Sequence, residues 1–247
     1  MHLPFIFAAC LLAAGSAFAA DITVSAAASL KNAFTEIAAA YEKSHPADRV
    51  RLNTAASGVL LRQAEQGAPV DILAFADEAT MDKAAAKKLI VPSSRQIFAA
   101  NTLVLVVPKR GSLKPSTPQA LRQSGIKRIA IGNPASVPAG AYAKAALEQQ
   151  NLYRELSAKW VFTQNVRQAL DYTARGETDA GFVYRTDALL QADKLQITAL
   201  IPTATPVRYP LALTASAKQP EAARRFSRFV LSPAGQAVLK KYGFSRP

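Results

Sequence analysis

The sequence predicts an α/β protein of two lobes, each a sheet flanked by helices, with a cleft between them. Three observations point there. Short apolar strands alternate with amphipathic helices along nearly the whole chain, the 247 residues are many for a single doubly wound sheet, and no low-complexity linker divides the sequence. Without a tether, the lobes are expected to be joined by crossing strands. Residues 21–99 and a return segment 208–247 would form lobe one, with 100–207 inserted between them as lobe two.

Residues 1–20 carry no Asp, Glu, Lys or Arg, and the apolar run from Leu3 to Ala14 is followed by Ala17-Phe18-Ala19, a small-x-small cleavage pattern. A secretory signal removed after Ala19 or Ala20 is the reading, although its start offers only His2 and the terminal amine as positive groups. The apolar run is shorter than the ~20 residues that cross a bilayer. Cys10 lies inside it, so the mature chain would hold no cysteine for a disulfide, a thiolate nucleophile or a metal site. A lipid anchor at Cys10 is disfavoured because Leu11-Leu12-Ala13-Ala14 continues the apolar run. His45 is then the one remaining imidazole, which argues against His-dependent hydrolases and His-rich metal centres. The net charge of +13 is spread over pairs such as Lys87-Lys88, Arg224-Arg225 and Lys240-Lys241 with no aromatic interleaving. That pattern suits a solvated surface and no nucleic-acid partner.

Ile22 to Ser25 reads as a strand, and from Leu30 the residues Leu30, Phe34, Ile37 and Tyr41 recur at helical spacing, so Ser29 opens a helix that His45-Pro46 stops. Arg49 to Thr54 alternates as a half-buried strand and runs into Ala55-Ala56-Ser57-Gly58, where Ser57 opens a second helix ending near Gly67. Val70 to Ala76 is a predicted strand, Glu78 to Lys88 a helix, and the apolar run Thr102 to Val107 a strand covered on both faces. Thr117 to Ser124 is expected as a helix, Arg128 to Gly132 as a strand, Pro138 to Gln150 as a helix, Asn165 to Arg175 as a helix and Ala180 to Tyr184 as a strand. The rhythm predicts parallel sheets. Arg208 to Ala215 reads as a last strand, followed by a helix marked by Ala222, Phe226, Phe229 and Val230 and a final one opened by Ser232-Pro233 and ended by Gly243.

In such folds ligands sit outside the carboxyl ends of strands, where helices begin. The stretch Asn133 to Lys144 is a loop feeding a helix whose first turn is set by Pro138, leaving the N–H groups of Ala139 and Gly140 to face whatever lies in front. Ser29 and Ser57 fall on one wall of the predicted cleft and Ala139 on the other. Each also has an ordinary structural role: serines cap helices anywhere and Ala139 suits simple filling.

Several motifs recur in an order that carries a family resemblance over essentially the whole mature chain: Ala26-Ala27-Ala28-Ser29-Leu30, Ala56-Ser57-Gly58, Gly67-Ala68-Pro69-Val70-Asp71, Gly132-Asn133-Pro134 with Val137 to Ala143, Asn165 to Leu170, Gly181-Phe182-Val183-Tyr184 and Lys241-Tyr242-Gly243-Phe244. The chain resembles the periplasmic molybdate-binding proteins of ABC transporters. The resemblance implies a periplasmic-binding-protein fold, a non-enzymatic role, a monomer, no cofactor, and delivery of molybdate or tungstate to a membrane permease. It also implies that the oxyanion is held by Ser29, Ser57, Ala139, Val166 and Tyr184, which touch oxygen and do not ligate the metal directly. Asn133 stands where many members carry Asp, a change expected to act on the loop more than on the ligand. Other readings stay open: the same fold taking sulfate or a carboxylate-bearing metabolite, an exported serine hydrolase, or a protein that adheres or binds nucleic acid through its charge. The hydrolase lacks a Gly-x-Ser-x-Gly motif and a second imidazole.

Overall fold

The computed structural model describes residues 20–247. The signal and Cys10 therefore lie outside the described residues, apart from Ala20, which opens the first strand.

In chain order, β1 (Ala20–Ala27) leads through a 3-10 turn (Ala28–Leu30) into α1 (Lys31–Ser44), then come β2 (Asp48–Ala55), α2 (Ser57–Glu65), β3 (Ile72–Ala74), α3 (Glu78–Ala86) and β4 (Gln96–Asn101). The second set is β5 (Leu103–Pro108), β6 (Ile129–Gly132), α4 (Pro138–Glu148), α5 (Leu152–Glu155), β7 (Trp160–Thr163), α6 (Val166–Ala174), β8 (Ala180–Tyr184), α7 (Arg185–Leu190) and β9 (Leu195–Ile201). The chain then returns through β10 (Val207–Leu213), α8 (Pro220–Leu231) and α9 (Pro233–Lys241).

Two five-stranded sheets result, ordered β2-β1-β3-β10-β4 and β7-β6-β8-β5-β9. β1 lies parallel between β2 and β3, with Ala20 opposite Asp48 and Ala27 opposite Ala55. Its Ile22, Val24 and Ala26 share one face and have no exposure, while Asp21 on the other face is exposed, and both faces are covered only toward the carboxyl end. α1 buries Phe34, Ile37, Ala38 and Tyr41 at three- and four-residue spacing, and Phe34 packs on Phe98 and Phe226 at centroid distances of 5.6 and 6.3 Å.

The expectation of parallel sheets is corrected: both are mixed. β10 runs antiparallel to β3 and β4, and β5 runs antiparallel to β8 and β9. The reason is connectivity. In each sheet the strand antiparallel to its neighbours is the one that enters from the other sheet: β5 follows β4 across Thr102, and β10 follows β9. β4, β7 and β9 were not anticipated as strands; β7 and β9 are sheet edges with partly exposed residues and a weak apolar signal. The helix expected at Thr117 to Ser124 is a 3-10 turn, Pro118–Arg122, anchored by buried Leu121 and followed closely by Gly125.

Gly140 marks how tightly the second lobe is built: a Cβ there would lie 1.8 Å from the Gly132 carbonyl oxygen. The first turn of α4 is thereby pressed onto the end of β6.

Candidate functional site

The carboxyl ends of β1, β2 and β3 face those of β7 and β8 and the start of α4 across a small cavity. All five residues named from the sequence line it. Ser29 sits in the turn after β1, Ser57 and Val166 are the first residues of α2 and α6, Ala139 is the second residue of α4, and Tyr184 ends β8. No charged side chain is among the lining residues. Among the described residues no group of three or more His, Cys, Asp or Glu is placed to hold a metal ion, and no helix is long and apolar enough to cross a membrane.

First-turn amides of a helix have no acceptor within it. The backbone N–H groups of Ser29, Ser57, Ala139 and Val166 belong to that set, and none donates to another described group. Three helix N-termini therefore meet at the cavity with their positive dipole ends inward. Ser57 opens α2 and Ser29 lies in the turn that leads into α1, as expected, but neither side chain caps a helix. Instead the Ser57 hydroxyl accepts the Ala76 N–H at 3.0 Å, and the Ser29 hydroxyl lies 3.0 Å from the hydroxyl of Tyr209. Ser57 thus spends a lone pair on protein and keeps its proton for the cavity. Burial pushes the Tyr184 phenol well above its usual range, so it remains an O–H donor. Its contact with the Ala76 carbonyl is long, 3.4 Å, and leaves the proton free for a better acceptor.

The two walls touch around the cavity. The Gly58 N–H donates to the Ser136 carbonyl at 3.0 Å, and a Cβ on Gly58 would lie 2.8 Å from that oxygen. Arg167, next to Val166, reaches across to the Ser29 carbonyl (3.0 Å) and the Asn32 side-chain oxygen (2.8 Å). Its root is a contact of 2.6 Å with Asp187, which has no exposure. Burial raises the Asp187 carboxyl and the Arg167 charge opposes that rise. The guanidinium is thereby matched by a carboxylate and directed at backbone, which keeps its charge out of the cavity.

Sequence reasoning did not single out Tyr209, Ala76, Asn101, Arg167 or Asp187 as parts of this site. Arg167 stood inside a quoted motif, but its partners are 135 and 138 residues away, beyond any local pattern.

A family described as Bacterial extracellular solute-binding protein matches residues 22–245. The chain is 36% identical over 242 residues to the molybdate-binding protein ModA of Escherichia coli (strain K12), a match covering 94% of this chain and 92% of that protein. It is 34% identical over 247 residues to the molybdate-binding protein ModA of Haemophilus influenzae, covering 95% of each. Its fold is similar to that of the periplasmic molybdate-binding protein of Azotobacter vinelandii, with a TM-score of 0.82 and 25% identity over 92% of this chain and 99% of that one.

Proposed function

The chain belongs to the bacterial extracellular solute-binding protein family, and from that premise we propose that it captures molybdate, and tungstate with it, in the periplasm and hands it to an ABC-transporter permease. The observation that carries the reading is the cavity furnished with hydrogen-bond donors and free of charged side chains. Ser29 and Ser57 each offer an N–H and an O–H, Ala139 and Val166 an N–H, and Tyr184 a phenol. At ~1.5–3 kcal/mol each, these donors sum to roughly 10–20 kcal/mol gross. Ordering and desolvation subtract from that figure. Micromolar to nanomolar binding requires about 8–12 kcal/mol, so neutral donors suffice.

The same inventory bears on selectivity. Molybdate, tungstate and sulfate are proton-free dianions at neutral pH, whereas phosphate keeps a proton that needs an acceptor. A cavity of donors disfavours it. The lobes, taken as 21–99 with 208–247 against 100–207, close on the anion by bending at the two crossings, and the closed form is what the permease recognises. That these relatives are molybdate-binding proteins supports molybdate as the preferred anion.

A thermal-shift panel tests the reading. An anion at a thousand times its dissociation constant stabilises the fold by ~4.1 kcal/mol. Molybdate and tungstate are expected to raise the melting temperature well above sulfate, with phosphate the weakest of the four. A panel led by sulfate would replace molybdate as the ligand, and a flat panel would end the oxyanion assignment.

A further inference from the structure

The Ser57 hydroxyl takes its orientation from a backbone N–H, which no side-chain change can reverse. The Ser29 hydroxyl takes its orientation from a side chain. Ser29 and Tyr209 are buried, at 3% and 0% exposure, with their oxygens 3.0 Å apart and either able to donate. The direction is decided one step further back. Asn101, the last residue of β4, accepts the Thr102 N–H on Oδ1 at 2.9 Å, which identifies its other terminal atom as the nitrogen. That Nδ2 has two hydrogens, and both are spent, on the Thr186 hydroxyl at 2.8 Å and on the Tyr209 hydroxyl at 3.2 Å. The Tyr209 oxygen is therefore an acceptor from Asn101, and its own proton has Ser29 as its remaining partner. The opposite direction would leave a buried phenol proton without an acceptor.

Desolvation pushes the Tyr209 phenol well above its usual range, so the proton is present throughout the physiological span. With Tyr209 donating, the Ser29 oxygen has a lone pair occupied and its own hydrogen directed to the cavity.

We infer that Tyr209, oriented by Asn101, is a positioning residue that leaves the Ser29 proton to the ligand and so strengthens the preference for oxyanions that carry no proton. This rests on the oxyanion reading above. In chemical terms, the relay runs Asn101 N–H to Tyr209 oxygen, Tyr209 O–H to Ser29 oxygen, and Ser29 O–H to ligand. A ligand P–O–H arriving at Ser29 competes with that directed hydrogen and finds one lone pair already taken by Tyr209.

The test is titration calorimetry of the wild-type protein, Tyr209→Phe and Asn101→Asp with sodium molybdate, sodium sulfate and sodium phosphate, at mildly alkaline pH where phosphate is hydrogen phosphate. The quantity read is the ratio of phosphate to molybdate dissociation constants. Tyr209→Phe frees the Ser29 lone pair, and the ratio is expected to shrink about tenfold. In Asn101→Asp the new carboxylate takes the Tyr209 proton, which turns the Tyr209 oxygen into an acceptor for Ser29. The ratio again shrinks with the tyrosine still in place. Simple repulsion by the added charge weakens both dianions alike and leaves the ratio unchanged. Where Tyr209→Phe fails to fold, the isosteric Asn101→Asp carries the comparison alone. An unchanged ratio alongside tight wild-type molybdate binding overturns this inference and spares the oxyanion reading. Absence of any oxyanion binding by the wild-type protein overturns both.

Discussion

Replacing Ser57 by alanine separates two tasks of one hydroxyl. In the folded chain its oxygen accepts the Ala76 N–H at 3.0 Å with no exposure to solvent. In the proposed complex its proton goes to the anion. Losing a hydrogen bond to a charged ligand costs about 1.5–3 kcal/mol, which is roughly a 10- to 150-fold weaker dissociation constant. Losing the acceptor strands a buried N–H, which costs about 1–3 kcal/mol of folding stability. The two effects appear in different experiments: titration calorimetry with molybdate reads the first, and urea unfolding of the anion-free protein reads the second. Both are expected in the same variant. A Ser57→Ala protein that loses stability yet binds molybdate with wild-type affinity would show that the hydroxyl serves only Ala76, and it would remove Ser57 from the anion's contacts.

Gly58→Ala sets a methyl group 2.8 Å from the Ser136 carbonyl oxygen across the cleft. The two walls must then separate at that point, so molybdate affinity is expected to fall and small-angle scattering to show no compaction on adding the anion. Arg167→Met removes the cross-cleft clasp and leaves Asp187 buried without its cation; stability should drop by about 3 kcal/mol, and stopped-flow dissociation should accelerate. Adding Asp187→Asn should restore stability but not residence time, and a single variant with unchanged dissociation would refute the clasp. Asp48 provides a pH signature. Burial pushes its carboxyl up, but the Tyr41 hydroxyl (2.5 Å) and the Arg225 guanidinium (2.9 Å) outweigh this and hold it below its usual value. A depressed carboxyl contributes stability above its unfolded value near ~3.9, and that contribution is lost as pH falls through the folded value. Asp48→Asn should therefore lower stability by about 2 kcal/mol at neutral pH and flatten the acid limb of urea midpoints measured in pH steps.

Strand ends that run through small residues into a helix are legible along the chain, because local spacing alone signals them. Ala26 to Leu30, Ala55 to Gly58 and Asn133 to Gly140 are of that kind, and the structure brings all three to one cavity. Val166 and Tyr184 were named through the family resemblance, since a valine at a helix start and a tyrosine at a strand end look like ordinary core. Strand direction was less legible. An apolar run such as Leu103 to Val107 reads the same in a parallel or an antiparallel neighbourhood, and the single residue between β4 and β5 decides the matter only once both are known. The support behind the site was hidden for a different reason. Ser29 and Tyr209 are 180 residues apart, and Asn101 and Thr186 are 85 apart. The first follows from the return of β10 into the first sheet and the second from the crossing at Thr102, whose carbonyl accepts from Arg185 at the start of α7, and no periodicity encodes either.

The central claim is that donors without formal charge, drawn from both lobes, hold the anion. The most direct measurement is a crystal structure of the protein with tungstate, whose anomalous scattering locates the metal atom unambiguously. The account predicts one tungsten inside the cavity, its oxygens within hydrogen-bond distance of the Ser29 and Ser57 hydroxyls, the Ala139 and Val166 amides and the Tyr184 phenol. A tungsten seated elsewhere, or one gripped by a lysine or arginine side chain, would contradict it.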